Sequence, residues 1–218
     1  MYMDRFSHTD ALDVRTPRED EIEPLVGLAA RHFARLEPVA RAVCRSPEQI
    51  VPMVESAVRI SMRDGLTLIG VSDNDIAGFV VCNRADRLDE IELGTSPEVV
   101  SIFTMLSILE NEFHSRNELP LEQVAQVLMV GVLQGTSRRR QGGNLLIRMM
   151  AHMRRQLVAR NITRVYSQAT SSQSQKFIRR YSVQEWKRIY YDTYECPVLG
   201  GRPFASVGGH CALGVLDL

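Results

Sequence analysis

One continuous segment in the second half of the chain constrains the fold more than any other. An apolar, strand-like stretch at residues 124–133 precedes the basic, glycine-rich sequence Ser-Arg-Arg-Arg-Gln-Gly-Gly-Asn at residues 137–144, and apolar residues at helical spacing follow over about 143–160. Between Gln123 and Gln184 there is no Asp or Glu, whereas eleven Arg and Lys residues lie there. A strand, a basic glycine-rich turn and a helix start favour a polyanionic ligand, because backbone N–H groups and the helix dipole add to the Arg charge. The alternative is a solvated basic face.

Composition and charge indicate an ordinary globular protein. The 218 residues carry 26 basic and 26 acidic side chains, so an excess of acids elsewhere compensates the basic segment. A hydrophobic content of 44% is enough for one core, or at most two small domains. No apolar run approaches the roughly 18 residues of a membrane span, and the N-terminus has no signal-like apolar stretch. We expect one cytoplasmic domain over residues 1–218, with no membrane partner, present as a monomer or homodimer.

The cysteine, histidine and aromatic positions argue against three other kinds of site. The four cysteines are scattered with no CxxC pair, which favours reduced, mostly buried thiols over a disulfide framework. The five histidines form no HExxH or similar spacing, so we expect no metal site. The basic residues lack the interleaved aromatic side chains of a nucleic-acid stacking surface, so we expect no nucleic-acid partner.

Hydrophobic periodicity predicts strands and helices along the whole chain. Strands are predicted at residues 12–15, 66–71, 76–82, 124–133, 163–169, 186–194 and 212–218. Helices are predicted from Pro17 to about residue 34, from Pro47 to about residue 61, and at residues 97–114, 143–160 and 172–181. Gly131, near the end of the fourth strand, suggests a bulge or a close backbone approach. This order of elements predicts one α/β domain with a mixed sheet.

The sequence Arg-Arg-Gln-Gly-Gly-Asn at residues 139–144 resembles the acetyl-CoA signature of the GNAT superfamily of N-acetyltransferases. That signature is an apolar strand, Arg/Gln-x-x-Gly-x-Gly/Ala and a helix; Asn144 departs from it, and a register starting at Arg140 is the alternative. The resemblance implies a single GNAT-type domain whose mixed, mostly antiparallel central sheet is flanked by helices. It also implies that the co-substrate acetyl-CoA is bound by Val132, Leu133, Arg138, Arg139, Arg140, Gln141, Gly142, Gly143 and Asn144.

Three segments are similar to the insect-type arylalkylamine N-acetyltransferases within that superfamily. They are His-Phe-Ala-Arg-Leu-Glu-Pro at residues 32–38, Thr-Ser-Ser-Gln-Ser at residues 170–174, and the ending with Tyr-Asp-Thr-Tyr at residues 191–194, Gly-Arg-Pro-Phe at residues 201–204 and His210. This resemblance implies that Glu37 is the general base, directly or through water, and that Thr170 and Ser174 form a proton relay. The usual Tyr general acid of the superfamily is absent, unless the shifted Tyr181 serves. This absence favours the hydroxyl pair, or the bound thiol itself, as the proton source.

Together the resemblances imply an enzyme that transfers acetyl from acetyl-CoA to a primary amine, in the first place a small arylalkylamine. A polyamine, an amino sugar or a protein N-terminus are alternative acceptors, and an acyl chain longer than acetyl is an alternative donor group. A non-catalytic CoA-binding module is the alternative from a different class. For the site residues, Glu37 as an ordinary helix-end carboxylate and Ser172 and Ser174 as helix caps are the structural alternatives.

Overall fold

A seven-stranded sheet organises the fold. The computed structural model describes residues 12–72, 74–133, 139–180 and 183–218, with the backbone alone for residues 139–143. The strands are β1 (Asp13–Arg15), β2 (Thr67–Ser72), β3 (Asp75–Arg84), β4 (Val124–Val132), β5 (Arg164–Ala169), β6 (Gln184–Tyr190) and β7 (His210–Asp217), in the spatial order β1-β2-β3-β4-β5-β7-β6. Strands β4 and β5 pair in parallel, and the other neighbours are antiparallel. The predicted α/β fold class with a mixed, mostly antiparallel sheet is confirmed.

Helices cover both faces of this sheet. They are α1 (Ile22–Leu36), α2 (Pro38–Val43), α3 (Val51–Arg63), α4 (Pro97–Arg116), α5 (Arg139–Ala159) and α6 (Ser172–Arg180). One sheet face packs against α1 to α4, whose buried apolar residues join Phe79 and Leu213 of the sheet in one core. The other face packs against α5, which contributes Leu145, Met149 and Met153 to a second core. Within the described ranges, none of these helices is long and apolar enough to cross a membrane.

The first helix begins later than the sequence predicts. Instead of a helix from Pro17, a short 3-10 turn at Glu19–Glu21 precedes α1. The Glu21 carboxylate explains the difference, because it accepts two hydrogen bonds of 2.7 Å from the Arg15 guanidinium and one of 2.8 Å from the Arg18 N–H. The Arg15 bonds are the main reason that the pKa of Glu21 is lowered to about 2. This contact ties the first strand to the first helix.

Other differences from the prediction concern a second helix preceded by a 3-10 turn, an additional helix and the ends of two elements. Helix α3 begins at Val51 after a 3-10 turn at Pro47–Gln49, instead of at Pro47. Helix α2 lies where the sequence predicts no helix, because six residues are too few to show a helical period. Helix α5 begins at Arg139 rather than Gly143, so the glycine-rich segment belongs to the helix itself. Strand β6 ends at Tyr190 rather than residue 194, because the chain turns there and Tyr191 is buried in the core.

The parallel strands β4 and β5 separate halfway along β4. They pair from Val124 with Arg164 as far as Val127 with Ser167. Immediately beyond that point the register of β4 against β3 shifts, leaving Leu128 as an extra residue. A β-bulge of this kind bends its strand. The second half of β4 therefore leaves β5 and opens a gap in the sheet.

Gly131 is not the bulge, so that part of the sequence prediction is wrong in position. The alternative interpretation, a close approach, is confirmed. A Cβ atom on Gly131 would lie 2.5 Å from two ring atoms of Phe79 and 3.1 Å from Nε2 of His32. Gly131 therefore lets two aromatic rings lie directly against the backbone of β4 beside the gap.

Candidate active site

A pocket lies on the α1–α4 face of the sheet, where β4 and β5 separate. Its free volume of about 70 Å³ is enough for several water molecules or a small organic group. The lining residues are Phe33, Glu37, Ala40, Ile50, Met53, Val99, Ile102, Phe103, Leu106, Gln126, Val127, Leu128, Met129, Gln168 and Thr170. Most of these side chains are apolar, and Glu37 is the one carboxylate among the lining residues that the structure describes.

Glu37 owes its position to the proline that follows it. Leu36 ends α1 and Pro38 begins α2. Because a residue before proline avoids the helical conformation, Glu37 is extended, with φ −76° and ψ 122°, and separates the two helices. Its carboxylate turns over the start of α2, where Oε2 accepts a hydrogen bond from the Ala40 N–H. Glu37 is therefore both a helix cap and a pocket residue.

The environment of Glu37 favours its protonated form. Burial raises the pKa of its carboxyl above the ordinary value, and the Thr170 hydroxyl and the N–H groups of Ala40 and Val39 offset only part of this rise. The Thr170 hydroxyl lies near the Glu37 carboxylate, but the two groups do not meet the geometry of a hydrogen bond. Oε1 of Glu37 is buried and has no hydrogen-bond partner among the described residues. A desolvated carboxylate oxygen that lacks a donor takes up a proton readily. The pocket thus contains a base of raised pKa.

Tyr191 holds the strand end that carries Thr170. The Tyr191 hydroxyl donates a 2.7 Å hydrogen bond to the Thr170 carbonyl, although the two residues are 21 positions apart. The Tyr191 side chain is only 1% exposed, so this bond is shielded from water. The sequence marks Tyr191 only as part of the chain ending that resembles the insect enzymes, and this contact gives it a definite structural role.

Ser174 lies in the cap of α6. The Ser171 N–H donates to Ser174 Oγ at 3.1 Å, the Ser174 N–H donates to Ser171 Oγ at 3.0 Å, and the two hydroxyl oxygens are 2.9 Å apart. This reciprocal arrangement is a capping box. The structure therefore brings Glu37 and Thr170 together in the pocket, whereas Ser174 is not among the lining residues.

The basic, glycine-rich segment forms the first turn of α5. The backbone of residues 139–143 is helical, so Arg139 and Arg140 lie within the helix rather than in a loop before it. The first N–H groups of a helix have no partner inside that helix, and here they belong to this segment. Asn144 is exposed, and Arg138 and Tyr181 lie outside the described residues.

Val132 and Leu133, at the end of β4, are also predicted for the donor site, but their N–H groups point in different directions. The Leu133 N–H donates to the Ala77 carbonyl at 2.9 Å, so it is directed towards β3. N–H groups alternate in direction along a strand. The Val132 N–H is therefore directed towards the gap that β5 leaves.

Sequence reasoning misses two polar residues of the pocket. Gln126 Nε2 donates to Gln168 Oε1 at 3.2 Å, and Gln168 Nε2 donates to the Leu106 carbonyl at 2.9 Å. Gln168 precedes Thr170 by two residues on the same strand face, which is the signal that could have identified it. Gln126 gives no such signal, because it lies within an apolar strand.

The remaining potentially reactive side chains form no additional centre in the described part of the chain. All four cysteines are free thiols, and Cys82, Cys196 and Cys211 are buried. No group of three His, Cys, Asp or Glu side chains there is arranged to hold a metal ion.

Comparison with known proteins adds to this geometry. No protein-family model and no curated protein matches the sequence. The structure is similar to the C-terminal condensation domain of Ebony in complex with β-alanyl-dopamine, with TM-score 0.83, 14% identity and coverage of 95% of this chain and 99% of that one. It is also similar to the polyamine N-acetyltransferase of Drosophila melanogaster, with TM-score 0.72, 20% identity and coverage of 95% and 100%.

A further similarity is to arylalkylamine N-acetyltransferase 2 of Aedes aegypti, with TM-score 0.72, 15% identity and coverage of 95% of this chain and 99% of that one. At these identities the likeness establishes the fold. The chain has the fold of the GNAT N-acetyltransferases, in the form that the insect arylalkylamine N-acetyltransferases also have.

Proposed function

We propose that the chain is an N-acyltransferase that moves an acetyl group from acetyl-CoA to a small primary amine. The observation that carries this proposal is the position of the Glu37 carboxylate, buried in an apolar pocket at the gap between β4 and β5. Release of free thiol from acetyl-CoA in the presence of 2-phenylethylamine tests it. We further propose a cytoplasmic monomer or homodimer that needs no metal, nucleic acid or membrane.

The donor side fits a polyanionic co-substrate with a long, flexible arm. The start of α5 provides N–H groups that have no partner within the helix and the positive end of a helix dipole, in a segment that has no acidic residue. The residues proposed to hold acetyl-CoA are Val132, Leu133, Arg138, Arg139, Arg140, Gln141, Gly142, Gly143 and Asn144. Acetyl-CoA, when bound, supplies an activated thioester carbonyl.

The proposed acetyl-CoA site predicts that the positive charge of the arginines at residues 138–140 contributes to coenzyme A affinity. Replacing Arg138, Arg139 and Arg140 together by Gln should weaken coenzyme A binding by about tenfold to a hundredfold, because each guanidinium would otherwise meet phosphate charge. Titration calorimetry with coenzyme A at two salt concentrations measures this. The matched control replaces Arg154 and Arg155, two exposed arginines of the same helix roughly 20 Å further along its axis. Equal losses in both variants would reject a localised donor site.

The acceptor side fits deprotonation of an amine. A primary alkylamine has a pKa of roughly 10, so most of it is protonated at neutral pH and cannot attack a carbonyl. Glu37, with its raised pKa and an unpartnered Oε1, is the proposed proton acceptor, directly or through one water. We assign the developing negative oxygen to the Val132 N–H rather than to Leu133, whose N–H is directed to Ala77.

The proton that returns to the leaving sulfur is proposed to pass through Thr170, with Ser174 as the second hydroxyl of the relay. Thr170 is the better placed of the two, since it lines the pocket beside Glu37. Ser174 would have to release its bonds to Ser171 before it acts. The hydrogen bond from Tyr191 to the Thr170 carbonyl supports this role by fixing the strand end.

The apolar pocket supports an arylalkylamine as the acceptor. Its aromatic and aliphatic walls suit a ring, and a polyamine would place a second ammonium group in a pocket whose described lining offers Glu37 as its one carboxylate. The similar structures include an arylalkylamine acetyltransferase and a domain that holds the amide β-alanyl-dopamine. The latter favours a longer acyl group as the second candidate donor. The polyamine enzyme among the neighbours makes a polyamine the second candidate acceptor.

A further inference from the structure

The part of the pocket lined by Gln126 and Gln168 is polar but uncharged. Gln168 lies near the end of β5 and Thr170 directly follows that strand, and both line the pocket on the same sheet face. Two residues of extended chain span about 7 Å, so the two side chains are about 7 Å apart along the strand direction. That spacing is the length scale of an arylethylamine from its nitrogen to the far edge of its ring. An acceptor whose nitrogen is at Glu37 and Thr170 would therefore bring its far end to the level of Gln168.

The two glutamines are held in fixed orientations. Gln168 accepts from Gln126 through Oε1 and donates through Nε2 to the Leu106 carbonyl of α4. Gln126 is only 4% exposed, yet it lines the pocket. Each carboxamide keeps one further N–H beyond these bonds. Gln126 and Gln168 therefore present oriented, neutral hydrogen-bonding groups to a ligand in the pocket.

Asn83 adds an unusual feature next to these glutamines. It is completely buried, and neither its Nδ2 nor its Oδ1 has a hydrogen-bond partner among the described residues. Asn83 is the cross-strand neighbour of Gln126, which places their Cβ atoms about 5 Å apart on the same sheet face. A buried amide without partners is costly, and such groups are rare in folded proteins. Asn83 is not itself a lining residue of the pocket. Hydrogen-bonding capacity that the described residues leave unused therefore lies directly beside Gln126.

We propose that Gln126 and Gln168 are specificity-determining residues that bind a neutral hydroxyl substituent on the aromatic ring of the acceptor. This inference rests on the proposed function. The walls of the pocket, among them Phe33, Ile102 and Phe103, receive the ring, and the amides receive its substituent. A hydroxyl group both donates and accepts, as the carboxamides do. A charged substituent would be desolvated there without a counter-ion.

The experiment compares two amines that differ in one group of similar size. Binding of 4-hydroxyphenylethylamine and of 4-methylphenylethylamine to the coenzyme A-loaded protein is measured by titration calorimetry, and kcat/KM is measured for both. We expect the hydroxyl compound to be favoured about tenfold or more, because the methyl compound leaves buried amides unpaired. In Gln126→Met, and separately in Gln168→Met, the preference should fall to about twofold or less.

Controls separate this inference from the proposed function. Gln184→Met, at an exposed position on the edge strand β6, should retain the preference of the unmodified protein. Equal binding and turnover of the two amines by the unmodified protein would overturn the inference while leaving acyl transfer intact. A preference that persists in both pocket variants would overturn the assignment to these glutamines. Absence of binding and turnover with both amines, and with every other amine, would reject the proposed function and the inference with it.

Discussion

Replacement of Glu37 by Gln is expected to lower kcat/KM for the amine by about 10²- to 10⁴-fold near neutral pH, the usual contribution of a positioned general base. The amide keeps an oxygen that can accept from the Ala40 N–H and cap α2, so the local structure should survive. Coenzyme A affinity should be nearly unchanged, because Glu37 is proposed to contact the acceptor and not the donor. Steady-state kinetics with varied amine, and calorimetry with coenzyme A, measure the two quantities.

The pH dependence of the Glu37→Gln variant makes this prediction specific. In the unmodified protein activity should rise as pH passes the raised pKa of Glu37. In the variant the rate should follow the small neutral fraction of the amine, so the deficit is largest at lower pH and shrinks as pH approaches the amine pKa of roughly 10. Glu23→Gln, an exposed carboxylate of α1, is the matched control and should behave as the unmodified protein. A variant with an unaltered pH profile would remove Glu37 from the mechanism.

The Glu37→Gln variant should be less active than the unmodified protein but more stable at neutral pH. Burial raises the pKa of the Glu37 carboxyl in the folded state. The stability that this group contributes in its protonated form is therefore fully present below the pKa of the unfolded state, and it is lost as pH rises through the pKa of the folded state. Gln does not ionise, so Glu37→Gln should unfold at a higher temperature than the unmodified protein at pH 7. The difference should disappear on acidification below the ordinary carboxyl pKa. Thermal unfolding across this pH range provides the measurement.

Gly131→Ala is expected to destabilise the protein by about 3 kcal/mol, near the upper end of the usual cost of overpacking. The added Cβ would lie 2.5 Å from two ring atoms of Phe79, whose side chain is completely buried. For a chain of this size we expect a fall of roughly 10 °C in Tm. Activity should fall even at temperatures where the variant is still folded, because the displaced rings of Phe79 and His32 lie against β4, the strand that ends at Val132.

Gly27→Ala is the matched control for that substitution. Gly27 lies within α1, and a Cβ there would meet only the guanidinium of Arg31, an exposed and flexible side chain, at 3.2 Å. Alanine in a helix is favoured over glycine by about 1 kcal/mol, so this variant should be as stable as the unmodified protein or slightly more so. A Gly131→Ala protein that unfolds at the same temperature as Gly27→Ala would contradict the packing described around β4.

Of the proposed site, the segment assigned to the donor is the part whose order of structural elements the sequence predicts best. Its strand, basic glycine-rich segment and helix follow one another along the chain, so their order is visible without a structure. Even so, the start of α5 at Arg139 was missed, because glycines inside the first turn resemble a loop in the sequence. The bulge at Leu128 was also hidden, since an extra residue in an apolar strand changes neither composition nor charge.

The pocket proposed to hold the acceptor is less accessible to sequence reasoning. Its walls come from α1, α3, α4 and two strands that are far apart in the chain, and apolar pocket residues have the same pattern as core residues. Resemblance alone points to Glu37 and Thr170, and the burial that raises the pKa of Glu37 is a tertiary property. The sequence gives no signal for Gln126 or Asn83. Gln126 matters because it bonds to Gln168, and Asn83 matters because its amide has no hydrogen-bond partner among the described residues.

Thiol release from acetyl-CoA with a panel of amines is the most direct test of amine acylation by this chain. The panel contains 2-phenylethylamine, an indole-ethylamine, 1,4-diaminobutane, an amino sugar and a short peptide, and mass spectrometry identifies each product. We predict turnover with the arylethylamines at a kcat/KM well above that of the diamine, and loss of that turnover in Glu37→Gln. Coenzyme A binding without turnover of any amine would contradict the account and identify the chain as a binding module.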